Sequence, residues 1–154
     1  MSKPTTMRTH TCGDLGISDV GATVTLCGWV ANFRDHGGLI FVDLRDRYGL
    51  TQCVFDPAIA PEAHTVAERV RSEWVLQVSG RIRPRPEGMI NPKMTTGAIE
   101  IEATTLAVLN QSLTPPFEIS AESDAGEDLR LKYRYLDLRR PPMRDALVAR
   151  SRIA

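Results

Sequence analysis

The 154 residues carry 19 Lys and Arg against 19 Asp and Glu, so net charge is zero. That excludes a globally basic nucleic-acid binder, and any such partner must be held by a local patch. At this length, with 42% hydrophobic residues, the chain makes one ordinary domain, or a small one with an appendage, burying about two thirds of its unfolded surface.

In chain order, the start MSKPTTMRTH lacks the apolar segment of a signal peptide. Residues 1–6 read as an N-terminal extension ahead of Met7, which serves as an alternative start in this reading. No later apolar run approaches a transmembrane length, so no membrane partner is expected. Cys12, Cys27 and Cys53 are too few and scattered for a zinc site. No metal is therefore expected, and a reducing, cytoplasmic compartment is. From Cys12 to Val20, the punctuation by Gly13, Gly16 and Gly21 predicts a short helical or turn segment plugging one end of a sheet. Alternation from Thr23 predicts a first strand, with Val24, Leu26, Gly28 and Val30 on one face, running toward Arg34. Asp35, His36, Gly37 and Gly38 then form a turn.

The next stretch, GGLIFVDLRDRYGLTQCVFD at 37–56, is predicted as a β-hairpin around Asp46–Gly49, with Gly49 available for a left-handed turn position. Ile40, Val42, Leu44, Cys53 and Phe55 point to the core. Phe41 and Gln52 share the opposite face, where a ring stacks on a base and an amide tests its edge. The alternative leaves Phe41 under a neighbouring loop and Gln52 solvated. Pro61 suits a first helical position, and Ala63, Val66, Ala67 and Val70 follow at helical spacing. Trp74–Arg83 alternates again, with Gly80 at a midstrand bend. RPEGMINPKMTTG is a long loop, and a last strand from Ile99 shifts phase near Thr104 and Thr105 as a bulge does.

Strand, strand, strand, helix, strand, strand is the order of an all-β OB-fold, a five-stranded Greek-key barrel with its helix between strands 3 and 4. A small sandwich or SH3-like barrel is the structural rival. The OB-fold's strand 2–3 face and its 1–2 and 4–5 loops bind oligonucleotides or oligosaccharides. Basic residues cluster from Arg69 to Lys93, while Glu118 to Asp128 is acidic. The barrel is assigned to 7–111, an acidic linker to 112–128, and a hinge with a truncated helix to 129–154. That helix starts at the double proline, carries Leu147 and Ile153, and reads as severed from a larger domain.

The segments CGWVANFRDHGGLIFVDLRDRYGLTQCVFDP at 27–57 and LRLKYRYLDLRRP at 129–141 resemble bacterial aspartyl-tRNA synthetases, from their anticodon-binding domain into the start of the class II catalytic domain. The resemblance implies that Phe41 stacks on the central anticodon uridine, with Gln52 and Arg34 as edge contacts. It places Arg83, Arg85, Asn91 and Glu100 near the neighbouring bases and phosphates, the Glu100 carboxylate suiting a guanine edge. It implies no catalytic residue and no cofactor in this stretch, whereas the parent enzyme would use ATP and Mg²⁺ and form a homodimer. His36 and Gly88 resemble the non-discriminating enzymes, implying tRNA(Asp) and tRNA(Asn) as partners. The alternative is a free-standing, sequence-tolerant single-strand binder. It predicts several stacking aromatics, but aromatics are 6% of the chain, with Phe41 the clear one on this face. A purely structural interaction module leaves the arginine excess unexplained.

Overall fold

The alternating runs become strands because each buries one apolar face in a common interior. A computed structural model describes residues 7–153, so the extension at 1–6 lies outside the described residues. The strands are β1 (Thr23–His36), β2 (Leu39–Arg45), β3 (Leu50–Phe55), β4 (Val75–Pro84) and β5 (Ile99–Asn110). They close in the order β1-β2-β3-β5-β4. Among the described residues, only β3 and β5 pair in parallel, through Cys53↔Ile101 and Val54↔Glu102. The first half of β1 pairs with β4 and the second half with β2. Its register shifts between Val30 and Asn32, as a strand shared between two sheet directions requires. The chain divides into two compact units at Thr114/Pro115.

Within the first unit, Leu26, Val42, Leu44, Phe55, Leu76 and Ile101 are fully buried. Each contributes roughly 1.5–3 kcal/mol by leaving water. The helix α1 (Pro61–Ala67) starts on its proline, as predicted. It turns Ala63 and Ala67 inward, with Val70 following, and Val66 is only half-buried. The His64 Nε2 donates to the Gly38 carbonyl at 2.8 Å, linking α1 to the β1–β2 turn. Gly37 and Gly38 both have positive φ, which a two-residue type I′ hairpin turn demands.

The expected left-handed position at Gly49 is a correction, since its φ is not positive. Glycine is needed there for closeness instead: a Cβ on Gly49 would lie 2.5 Å from the Gly13 Cα. The segment around Gly13, with a single 3-10 turn at Ile17–Asp19, buries Cys12 and Leu15 against the core. Asp46 fastens it. One carboxylate oxygen accepts from the Tyr48 and Gly49 amides at 2.7 and 2.9 Å, and the other from the Cys12 amide at 2.9 Å. The phase shift predicted near Thr104 is a bulge in β5 opposite Ser79 and Gly80.

The second unit contains α2 (Glu127–Lys132), α3 (Arg134–Asp137) and α4 (Pro141–Ile153). The double proline starts α4, whereas α2 and α3 form in the stretch assigned to linker and hinge. Asp137 is fully buried and takes Arg134 at 2.6 Å and Arg140 at 3.1 Å. Arg140 also donates to the carbonyls of Ser120, Ala121 and Ser123. Among the described residues, no helix is long and apolar enough to cross a membrane.

Candidate nucleic-acid interface

The pleat that sends Ile40, Val42 and Leu44 inward sends Phe41 and Asp43 to the other face. Register sets their neighbours: Asp43 faces Gln52 across β2–β3, Arg34 faces Phe41 across β1–β2, and Arg83 faces Glu100 across β4–β5. Phe41 is half-buried. Beside it runs a continuous polar chain. Arg34 Nη2 donates to both oxygens of Asp43, at 3.1 and 3.3 Å, and to Gln52 Oε1 at 3.1 Å. Gln52 Nε2 donates to Glu100 Oε2 at 2.8 Å, and Arg83 Nε donates to Glu100 Oε1 at 2.8 Å. Arg83 Nη1 reaches Glu102 Oε1 at 2.5 Å.

Gln52, which parity sends outward and the alternative reading leaves solvated, is buried at 6% exposure, and Glu100, on the outward face of β5, is buried at 2%. The reason is the arginines lying over them. Arg34 and Arg83 keep 49% and 36% of their side chains exposed, against 9% for Asp43 and 3% for Glu100. Each glutamate oxygen holds one donor and retains a further lone pair, so the carboxylate is oriented without being saturated. Burial is sustainable because the polar atoms are paired.

Arg83 and Arg85, which the resemblance places near bases and phosphates, both have protein partners. Arg83 holds two carboxylates, whereas Arg85 is buried and donates from Nε to the Ile99 carbonyl at 3.0 Å. Burial lowers the Arg85 pKa, countered by Glu100 and Asp43. Burial also raises that of Asp43, countered by Arg34, hydrogen bonding with Asn32 and then Arg85. The loop joining β4 to β5 is shaped by Asn91, whose side-chain oxygen accepts from the Lys93 amide at 3.0 Å and whose own amide donates to Gly97. His36 is exposed at the end of β1. Gly88 has φ +81 and nothing within 4 Å of a built Cβ, so its backbone alone accounts for glycine. The network's two ends, Asp43 and Glu102, were missed as site members. Their signal was parity: Asp43 shares the face of Phe41, and Glu102 that of Glu100. Among the described residues, no group of three or more His, Cys, Asp or Glu is arranged to hold a metal.

Residues 24–109 match a family model described as an OB-fold nucleic acid binding domain. The chain is 58% identical over 147 residues to an aspartate–tRNA(Asp/Asn) ligase of Nitratidesulfovibrio vulgaris, covering 96% of this chain and 24% of that protein. It is 53% identical over 150 residues to the ligase of the same name from Acidobacterium capsulatum, covering 97% and 25%. The chain thus spans about a quarter of the length of the curated relatives it matches. Among solved structures, the asparaginyl-tRNA synthetase of Pyrococcus horikoshii superposes with a TM-score of 0.70 at 26% identity, covering 86% of this chain and 30% of that one. The aspartyl-tRNA synthetase of Entamoeba histolytica gives 0.74 at 21% identity, covering 86% and 32%, a likeness of fold.

Proposed function

Since the chain belongs to the family of OB-fold nucleic acid binding domains, we propose that it is the anticodon-binding part of an aspartate–tRNA(Asp/Asn) ligase. The observation that carries this reading is the half-buried Phe41 ring beside the oriented Arg34–Gln52–Glu100 chain, in a sequence more than half identical to such ligases. Phe41 stacks on the central uridine, while Arg34 and Gln52 meet its edge. Glu100 receives the N1–H and exocyclic amine of the guanine shared by the GUC and GUU anticodons. Arg83 orients that carboxylate, and Arg85 and Asn91 hold the β4–β5 loop that flanks it. His36 and the open loop at Gly88 leave the third anticodon base untested, which admits both tRNAs. The parent ligase would act in the cytoplasm as a homodimer, joining L-aspartate to tRNA with ATP and Mg²⁺. No step of that chemistry is assigned to residues of this chain.

The test is binding of an RNA stem-loop bearing GUC, against one with an unrelated loop. Wild type should prefer GUC. Phe41→Ala should weaken that binding by about 1–3 kcal/mol, the worth of a base–aromatic stack, with little change in melting temperature. Equal affinity for both loops, or a lower melting temperature with unchanged affinity, would overturn the reading.

A further inference from the structure

Resting on the anticodon reading above, we infer that Glu102 is a positioning residue that sets guanine discrimination at Glu100 by acting through Arg83. Glu100 and Glu102 are two positions apart on β5 and share a face. Arg83 lies across from them on β4 and bridges both, with Nε 2.8 Å from Glu100 Oε1 and Nη1 2.5 Å from Glu102 Oε1. One hydrogen bond leaves a guanidinium free to pivot, whereas two at different nitrogens fix its plane. Arg83 then fixes one oxygen of Glu100 and Gln52 fixes the other, so the carboxylate offers its remaining lone pairs in a set direction.

The same tether restrains a charge. Arg83 has 36% of its side chain exposed and Glu102 has 27%, so this ion pair forms the outer rim of the site. Without Glu102 the guanidinium can swing toward the RNA backbone, adding a phosphate contact that is blind to sequence. It would also leave one oxygen of Glu100 unsupported. Glu102 therefore favours base reading over backbone holding by acting through Arg83.

The experiment uses the 154-residue chain and two stem-loops, one with GUC and one with inosine replacing the guanosine. Inosine lacks the exocyclic amine, so the affinity ratio reports on Glu100. Glu102→Ala should lower the guanosine-to-inosine ratio by about fivefold or more. It should also tighten binding of the inosine loop and steepen the log–log salt dependence by about 0.7, one added single-strand phosphate contact. Glu102→Gln retains an acceptor oxygen and should keep part of the ratio. Loss of a negative charge by itself lifts both RNAs equally. An unchanged ratio in the folded variants, while wild type still prefers GUC over an unrelated loop, would overturn this inference alone. Failure of wild type to show that preference would remove the anticodon reading beneath it.

Discussion

Asp43 carries a carboxylate with little access to water, and the two arginines near it compensate only in part. Its pKa is raised from 3.8 by burial, against the opposing pulls of Arg34, hydrogen bonding with Asn32 and Arg85. The folded state therefore holds that proton more tightly than the unfolded chain does. The resulting stabilisation is fully present below 3.8 and is lost as pH rises through the folded value. Comparing urea unfolding of wild type and Asp43→Asn from pH 7 downward should show the difference moving in the wild type's favour as acid is added. A flat difference would mean that pairing with Arg34 and Arg85 offsets burial, and one of opposite sign that it outweighs burial. At this scale the sequence was legible in direction and silent on cover. Alternation fixes which face Gln52 and Glu100 take, but an arginine from another strand lying across them leaves no local signature. Glu73, the non-glycine residue with positive φ among the described residues, was equally invisible. It is pinned by Arg45 at 2.7 Å and by its amide on the Val30 carbonyl at 2.8 Å.

Among elements, the hairpin is fastened to the segment packed on its turn by two side chains, Thr51, whose hydroxyl donates to the Cys12 carbonyl at 2.5 Å, and Asp46. Asp46 gathers three backbone amides from two parts of the chain, and the Cys12 amide is buried. Asp46→Ala leaves that donor without its acceptor, so unfolding stability should fall by about 1–3 kcal/mol. Amide exchange should accelerate first at Cys12, Tyr48 and Gly49. Uniform acceleration across the barrel would instead show that the turn has no local stability of its own. The strands and α1 were readable because period-two alternation and a leading proline are local signals. So was the β5 bulge, whose extra residue changes the phase of the apolar positions. By contrast α2 and α3, six and four residues long, are too short to show a helical period, and the buried Asp137 that gathers arginines in this unit is known only from the packing.

On the scale of the molecule, the residues assigned to RNA all precede Thr114, within the first compact unit. A chain ending at Thr114 should unfold in one cooperative transition and bind the GUC stem-loop within about twofold of the longer chain, as separate sites do. A larger loss would assign RNA contacts to residues 115–154. The order in which the site's parts leave the ribosome follows from the Gln52–Glu100 hydrogen bond, which joins residues 48 positions apart. Arg34, Asp43, Phe41 and Gln52 are made within one short stretch, whereas the partner of the Gln52 amide is made only with β5. On the proposed anticodon reading, a nascent chain whose β5 has yet to dock displays an aromatic ring and an uncommitted amide, enough to hold a single strand and too little to choose one. Selectivity is then the last property the barrel acquires. Substitutions that break the Gln52–Glu100 pairing while sparing the β5 core positions Ile99 and Ile101 should therefore cost selectivity before affinity.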